Sequence, residues 1–152
     1  MECCKEVAVT IDLARIPEES SLIDQGLKTQ LSGIFGKMEG QVAIKAVVDL
    51  PREKDCEQAA FLRAVSALSD KLDLELYGPD EAGQVPELNT QWLPVTGLYR
   101  DGRYGRASFH GVPGGKEINS FVLAIYNLAG PGQEMPRGLR KKIEKLDKKT
   151  NI

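Results

Sequence analysis

The chain is short of the residues on which most site chemistry depends. Its 152 residues include one histidine, one tryptophan and three cysteines. A single His110 cannot build a histidine-rich metal centre. Cys3, Cys4 and Cys56 are too few for a disulfide framework and lack the second Cys/His pair that a tetrahedral zinc site uses. The Cys3-Cys4 doublet is expected to be two ordinary thiols at a frayed terminus, the alternative being that it meets Cys56 or captures adventitious metal. No metal and no cofactor is expected. An excess of one charge is also missing. The net charge is −2, and the basic residues are spread out until the C-terminus. That argues against nucleic acid, which asks for a basic stripe with stacking aromatics. No apolar run approaches the ~18 residues of a membrane span. The opening "MECCKEVAVTIDLARIPEES" has Glu2 and no apolar signal core, so the expected compartment is the cytoplasm, where thiols stay reduced. Neither G-x-x-x-x-G-K-[ST] nor G-x-G-x-x-G occurs around the glycines of "FHGVPGGKEINSF", which excludes the common nucleotide loops.

What is present reads as one globular domain. A chain of this length buries roughly 70% of its unfolded surface and needs no staple. Val7, Val9, Ile11 and Leu13 alternate, so a short strand is expected at 7–13. Ser20 or Ser21 offers an N-cap, and Leu27, Leu31, Ile34, Phe35 and Met38 then recur at helical spacing, predicting a helix over 22–38 that stops at Gly40. "QVAIKAVVDL" (41–50) is an apolar, buried strand. A second helix is predicted at 56–71, with Phe61, Val65, Leu68 and Leu72 on one stripe. "LDLELY" (72–77) is the next strand, and 78–92 is a loop or short irregular helix. "PVTGLYRDGRYGRASFHG" is a hairpin about Asp101-Gly102, a dipeptide that tolerates the positive φ of a tight primed turn. Ile118, Phe121, Val122, Ile125 and Leu128 mark a last apolar helix, followed by a basic amphipathic tail.

The order α-β-α-β-loop-β-β-α describes an α/β thioredoxin-like three-layer sandwich, a four-stranded mixed sheet with helices on both faces. The crossover helix makes the first two strands parallel, and the hairpin is antiparallel. The expected division is an extension at 1–20, a domain at 21–130 and a helical tail at 131–152. Shifted by 108 positions, Leu31, Phe35, Met38 and Ile44 fall on Leu139, Ile143, Leu146 and Ile152. The tail thus reads as a linker to, or the start of, a second unit, and the chain as a fragment or a stand-alone descendant of a tandem protein.

Three stretches carry a family resemblance: "GLKTQLSGIFGKMEGQVAIKAVVD", "FLRAVSALSDKLDLELY" and "LPVTGLYRDGRYGRASFHGVPGGKEINSFVLAIYNLA". Together they resemble tandem thioredoxin-fold proteins: the first half of the N-terminal domain of alkyl hydroperoxide reductase flavoproteins, and archaeal-type, glutaredoxin-like protein disulfide oxidoreductases. The resemblance implies a half without paired cysteines. It acts as scaffold or docking partner for a second thioredoxin-like domain, a peroxiredoxin or a similar redox protein. It also implies that Pro94 in "WLPVTG" is the cis proline that shapes the partner groove, with Leu93 and Trp92 beside it. Dimerisation of two copies through the equivalent face is a further possibility. Pro113 and the surrounding glycines then make a strand-to-helix turn, and His110, with no partner at motif spacing, is a structural or solvated residue.

Dithiol exchange in this fold needs C-x-x-C at the start of the helix after the first strand, where the dipole favours a thiolate and a second thiol resolves the mixed disulfide. Here the segment is "DLPREKDCEQ". Arg52 or Glu53 stands where the attacking cysteine belongs, and Cys56 falls at or just after the resolving position. Cys56 is therefore expected to be a lone helix-start thiol. The competing reading is a monothiol, glutaredoxin-like oxidoreductase acting through Cys56, with Cys3 or Cys4 resolving. Asp55 and Glu57 oppose a thiolate there, while Arg52 and Lys54 favour one.

Overall fold

A computed structural model describes residues 16–113, 117–130 and 141–142. The strand expected at 7–13 and all but two residues of the 131–152 tail lie outside that set. In chain order the elements are α1 (Gln25–Phe35), β1 (Val42–Val47), α2 (Glu53–Ser66), β2 (Leu72–Tyr77), a 3-10 helix (Pro79–Gln84), β3 (Val95–Arg100), β4 (Arg103–His110) and α3 (Ile118–Ala129). The four strands form one sheet in the order β2-β1-β3-β4. β1 runs parallel to β2 and antiparallel to β3, and β3 runs antiparallel to β4. This is the mixed, thioredoxin-like sheet that the element order calls for. No helix among the described residues is long and apolar enough to cross a membrane.

Alternation along the strands sorts side chains to two faces. Val42, Ile44 and Ala46 of β1, Leu72, Leu74 and Leu76 of β2 and Leu98 of β3 point into the main core. There they meet Leu31 and Phe35 of α1, Phe61, Leu62 and Val65 of α2, and Phe121, Val122 and Ile125 of α3. All three α-helices therefore cover the same face. The opposite face carries a smaller cluster of Val47, Tyr77, Val95 and Tyr99, closed by Val85 and Leu88 from the loop that follows the 3-10 helix.

Several boundaries differ from the sequence expectation, each for a local reason. α1 is capped by Asp24, whose carboxylate accepts from Leu27 N at 2.8 Å. Ser20, expected as a cap, instead closes a turn: its Oγ accepts from Leu22 N and its carbonyl from Ile23 N. α1 ends at Gly36, short of Gly40, but Met38 beyond it still packs into the core. α2 begins three residues earlier than expected and ends at Ser66, so Leu68 and Leu72 of the expected stripe fall outside it. The chain also enters the core before residue 21. Ile16 is buried, and its carbonyl accepts a hydrogen bond from Arg63 of α2.

The hairpin turn has Asp101 at φ 53° and Gly102 at φ 76°, the paired positive values of a primed turn. Arg106 also has φ 63°. It lies where β4 spends three residues, 105–107, opposite the single Leu98 of β3. Two extra residues form an irregular bulge that keeps the alternation in phase, so Ala107 and Phe109 still face the main core. α3 is preceded by Glu117 at its N-cap, without a side-chain cap bond. The intervening glycines at 114–115 lie outside the described residues.

Candidate functional site

β1, β3 and α2 meet at one end of the sheet. Val47 of β1 pairs with Val95 of β3, and Val95 pairs with His110 of β4. The connection from β1 into α2 therefore leaves the sheet at the end where Pro94 enters it. The Leu93–Pro94 peptide bond is cis, and the Pro94 carbonyl accepts from Gly111 N at 2.9 Å. Leu93 packs against the smaller core cluster. Trp92 points out and is 60% exposed, the one large hydrophobic side chain so exposed among the described residues. His110 Nδ1 lies 2.8 Å from the Trp92 carbonyl oxygen, and the two rings meet edge-on at 6.3 Å. His110 thus ties the Trp92 loop to β4. No group of three or more metal-ligating side chains occurs among the described residues.

α2 opens on Arg52 as N-cap, with no side-chain capping bond, and Glu53 as its first helical residue. The first turn carries the positive end of the helix dipole, yet neither position a thiolate would take holds a sulfur. Asp55 lies two residues into the helix and is fully buried. One carboxylate oxygen accepts from Asp49 N at 2.7 Å, clasping the β1–α2 connection, and the other lies 3.6 Å from Arg52 Nε without a hydrogen bond. Burial pushes its pKa above the usual carboxylate range. The Asp49 N–H and the Arg52 guanidinium pull it back, and the Asp49 carboxylate adds to the rise. One turn on, buried Gln58 donates to Thr96 Oγ1 of β3 at 2.6 Å. The underside of α2 is thus pinned by polar contacts to β3 and to its own entry loop.

In the sequence Asp55 figures only as a charge beside Cys56, because a helix starting at 56 leaves it in a loop. With the helix starting at 53 it becomes an acid in the first turn, where dipole and backbone donors both favour a carboxylate.

Cys56 occupies the fourth helical position, and its N–H donates to the Arg52 carbonyl at 3.0 Å. It is 5% exposed and disulfide-bonded. Of the two readings open for this cysteine in the sequence, a lone thiol or a bridged one, the structure has the bridged one. The chain's other two cysteines, Cys3 and Cys4, lie outside the described residues.

A crossover-linked parallel pair, a hairpin entered through a cis proline, and a helix starting at the end of the first strand define a protein of the thioredoxin-like fold. Within that class the chain is homologous to the N-terminal domain of AhpF, a subunit of alkyl hydroperoxide reductase. It is 28% identical over 126 residues to the Staphylococcus aureus protein and 26% identical to the Pseudomonas aeruginosa protein, covering 83% of this chain in each case. It spans about a fifth, 22%, of the length of these curated relatives. The Enterococcus faecalis AhpF structure superposes with a TM-score of 0.76 at 33% identity, covering 83% of this chain and 62% of that one. The isolated N-terminal domain of the same protein gives 0.74 at 32% identity, covering 80% and 59%. A protein disulfide oxidoreductase from Aeropyrum pernix shares the fold at 16% identity, with a TM-score of 0.67 over 91% of this chain and 57% of that one. No protein-family model matches the chain.

Proposed function

We propose that this chain is a thioredoxin-fold docking module of a peroxide-reducing electron-transfer system. It seats a soluble redox protein in the cytoplasm, either a thioredoxin-like domain bearing C-x-x-C or a peroxiredoxin, and does not itself turn over disulfides. One observation carries the reading: the first turn of α2 presents Arg52 and Glu53 where exchange requires an attacking thiolate. The homology to AhpF supports the choice of system. Exposed Trp92, held by His110 and anchored through Leu93, supplies the contact surface. Such an aromatic, rigidly held and amphipathic, is the usual anchor of a protein interface.

The test pairs an activity with an affinity. Insulin-disulfide reduction by the chain is expected to stay at background. Calorimetric titration with a reduced C-x-x-C thioredoxin-like domain is expected to give saturable binding that Trp92→Ala weakens by tenfold or more. Turnover abolished by substitution between residues 50 and 57 would overturn the reading, as would binding indifferent to Trp92. Sedimentation against concentration separates a second copy of the chain from a foreign partner on this surface.

A second reading, thiol exchange through Cys56, is favoured by its disulfide. It predicts glutathione adducts at pH 7 that Cys56→Ser abolishes.

A further inference from the structure

We infer that the partner of the Trp92 surface is an acidic protein, received along edge strand β4 by Arg103 and Arg106. This rests on the docking reading and adds to it the partner's charge and the direction in which the surface extends.

Charge is sorted across the sheet. The chain carries a net charge of −2, yet its two edge strands differ in sign. β2 at one edge has Asp73 and Glu75, with Asp70 before it and Asp80 and Glu81 in the 3-10 helix after it. β4 at the other edge exposes Arg103 and Arg106, and no acid occurs from 102 to 113.

The fold leaves both arginines uncompensated. Among the described residues no carboxylate lies within ion-pair distance of either. Asp101, the acid of the hairpin turn, lies 3.9 Å from Arg100 Nε instead. Arg103 stands directly opposite Arg100 across the hairpin, and like charges in that relation weaken a sheet. Arg106 holds a left-handed backbone, φ 63°, where glycine or asparagine is the easier occupant. Neither residue helps the hairpin that carries it.

The strip runs into the Trp92 surface. His110 ends β4 and holds both the carbonyl and the ring of Trp92. At about 3.3 Å per residue, Arg103 stands roughly 20 Å further along the strand. The result is one face with an aromatic anchor at one end and positive charge along its length.

Other occupants fit less well. The bulge at 105–107 interrupts the outer edge and blunts it against the addition of a regular strand. Two copies meeting symmetrically through β4 would bring two positive strips together, because such an interface repeats one patch. Nucleic acid asks for a denser array of cations. An acidic protein surface satisfies both arginines, and its attraction speeds the encounter.

Surface plasmon resonance on the full chain tests this, with a reduced, acidic C-x-x-C thioredoxin-like domain as probe. Association is expected to slow about fivefold or more between about 50 and 300 mM NaCl. Arg103→Glu combined with Arg106→Glu is expected to slow it about tenfold while dissociation changes by less than about twofold. Lysine at both positions is expected to keep the rate. Trp92→Ala acts on dissociation instead. Arg103→Glu alone is expected to leave the urea midpoint unchanged or higher, since it then faces Arg100, so a slower encounter is not a folding defect. Trp92-dependent binding that ignores salt and both arginines would overturn the inference and leave the docking reading standing. Equal affinity for duplex DNA, or self-association that the double variant abolishes, would overturn the partner assigned here. Binding indifferent to Trp92, or no binding at all, would overturn both readings.

Discussion

The two faces of the sheet are built on different principles. One lies under α1, α2 and α3 and is filled by aliphatic and phenylalanine side chains. Phe121 sits at its centre, its ring 5.9 Å from Phe61 and 5.3 Å from Phe109. The other is covered by a six-residue 3-10 helix and a loop, and its cluster is held as much by polar groups as by burial. Lys45 lies 4.8 Å over the Tyr99 ring and 3.6 Å from a Glu75 oxygen. The Tyr77 hydroxyl donates to Glu75 at 3.1 Å, and the Tyr99 hydroxyl to Glu87 at 2.9 Å. The helical face holds the larger of the two core clusters. The thin face leaves room for the Trp92 loop to stand out at the end where α2 begins. The division of labour is physical: a deep apolar core resists local change, while a shallow polar-edged cluster lets a surface loop be positioned without burying it.

The largest expected contrast comes from truncating one anchor on each side. Phe121→Ala removes a fully buried ring from between two others and is expected to cost about 3–5 kcal/mol. Leu88→Ala on the thin face is expected to cost about 2 kcal/mol, the low end for a buried leucine, because a loop rather than a helix can settle into the space. Urea unfolding of both variants measures the difference. Equal losses would mean that the thin face is as rigid a core as the helical one.

A subtler probe exploits the glycine that lets the loop approach. A methyl group at Gly97 would stand 2.4 Å from Leu88 Cδ2 and 3.2 Å from the Tyr99 ring. Gly97→Ala is therefore expected to destabilise by about 1–3 kcal/mol through overpacking. Most of that cost is expected to vanish in a Leu88→Ala background, where the clash is gone. Such non-additivity is the signature of a direct contact. A penalty that persists unchanged in the double variant would place its origin in the β3 backbone.

Much of the fold is legible because its elements are long enough to carry a period. Residues 72–77 form the strand that their alternation predicts, and the Asp101-Gly102 turn follows from one dipeptide. What escapes is decided by contacts remote in sequence. The start of α2 at Glu53 rather than 56 follows from Asp55 reaching back to the Asp49 N–H, and nothing in "PREKDC" announces a buried acid. Ser20 and Asp24 both suit an N-cap, and only the burial of Ile23 between them selects the later one. The cis bond at Pro94 follows from the resemblance, whereas a count of three cysteines leaves open whether Cys56 is bridged. The resemblance supplies what spacing alone withholds, that the helix after β1 is where to look for sulfur.

The smallest expected effect is also the most selective for the thin face, because it depends on pH. Burial, then the nearby Glu75 and Glu81 charges, pushes the Tyr77 hydroxyl up to about 12. Tyr99 is raised further, by burial and by its bond to Glu87. An unfolded phenol loses its proton near ~10, whereas these two keep theirs. Stability is therefore flat with respect to these phenols below about pH 10 and falls as pH rises toward ~12, since only the unfolded chain gains by ionising. For Tyr77 alone the loss at about pH 11 is of order 1 kcal/mol. Lys45 lies over the Tyr99 ring and beside Glu75 in the same cluster, so the comparison is made in a Lys45→Met background. There, the drop in urea midpoint between about pH 8 and pH 11 is expected to shrink when Tyr77 and Tyr99 are replaced by phenylalanine. An undiminished drop in that variant would move the alkaline weakness to groups outside the tyrosine cluster and remove the electrostatic half of the contrast between the faces.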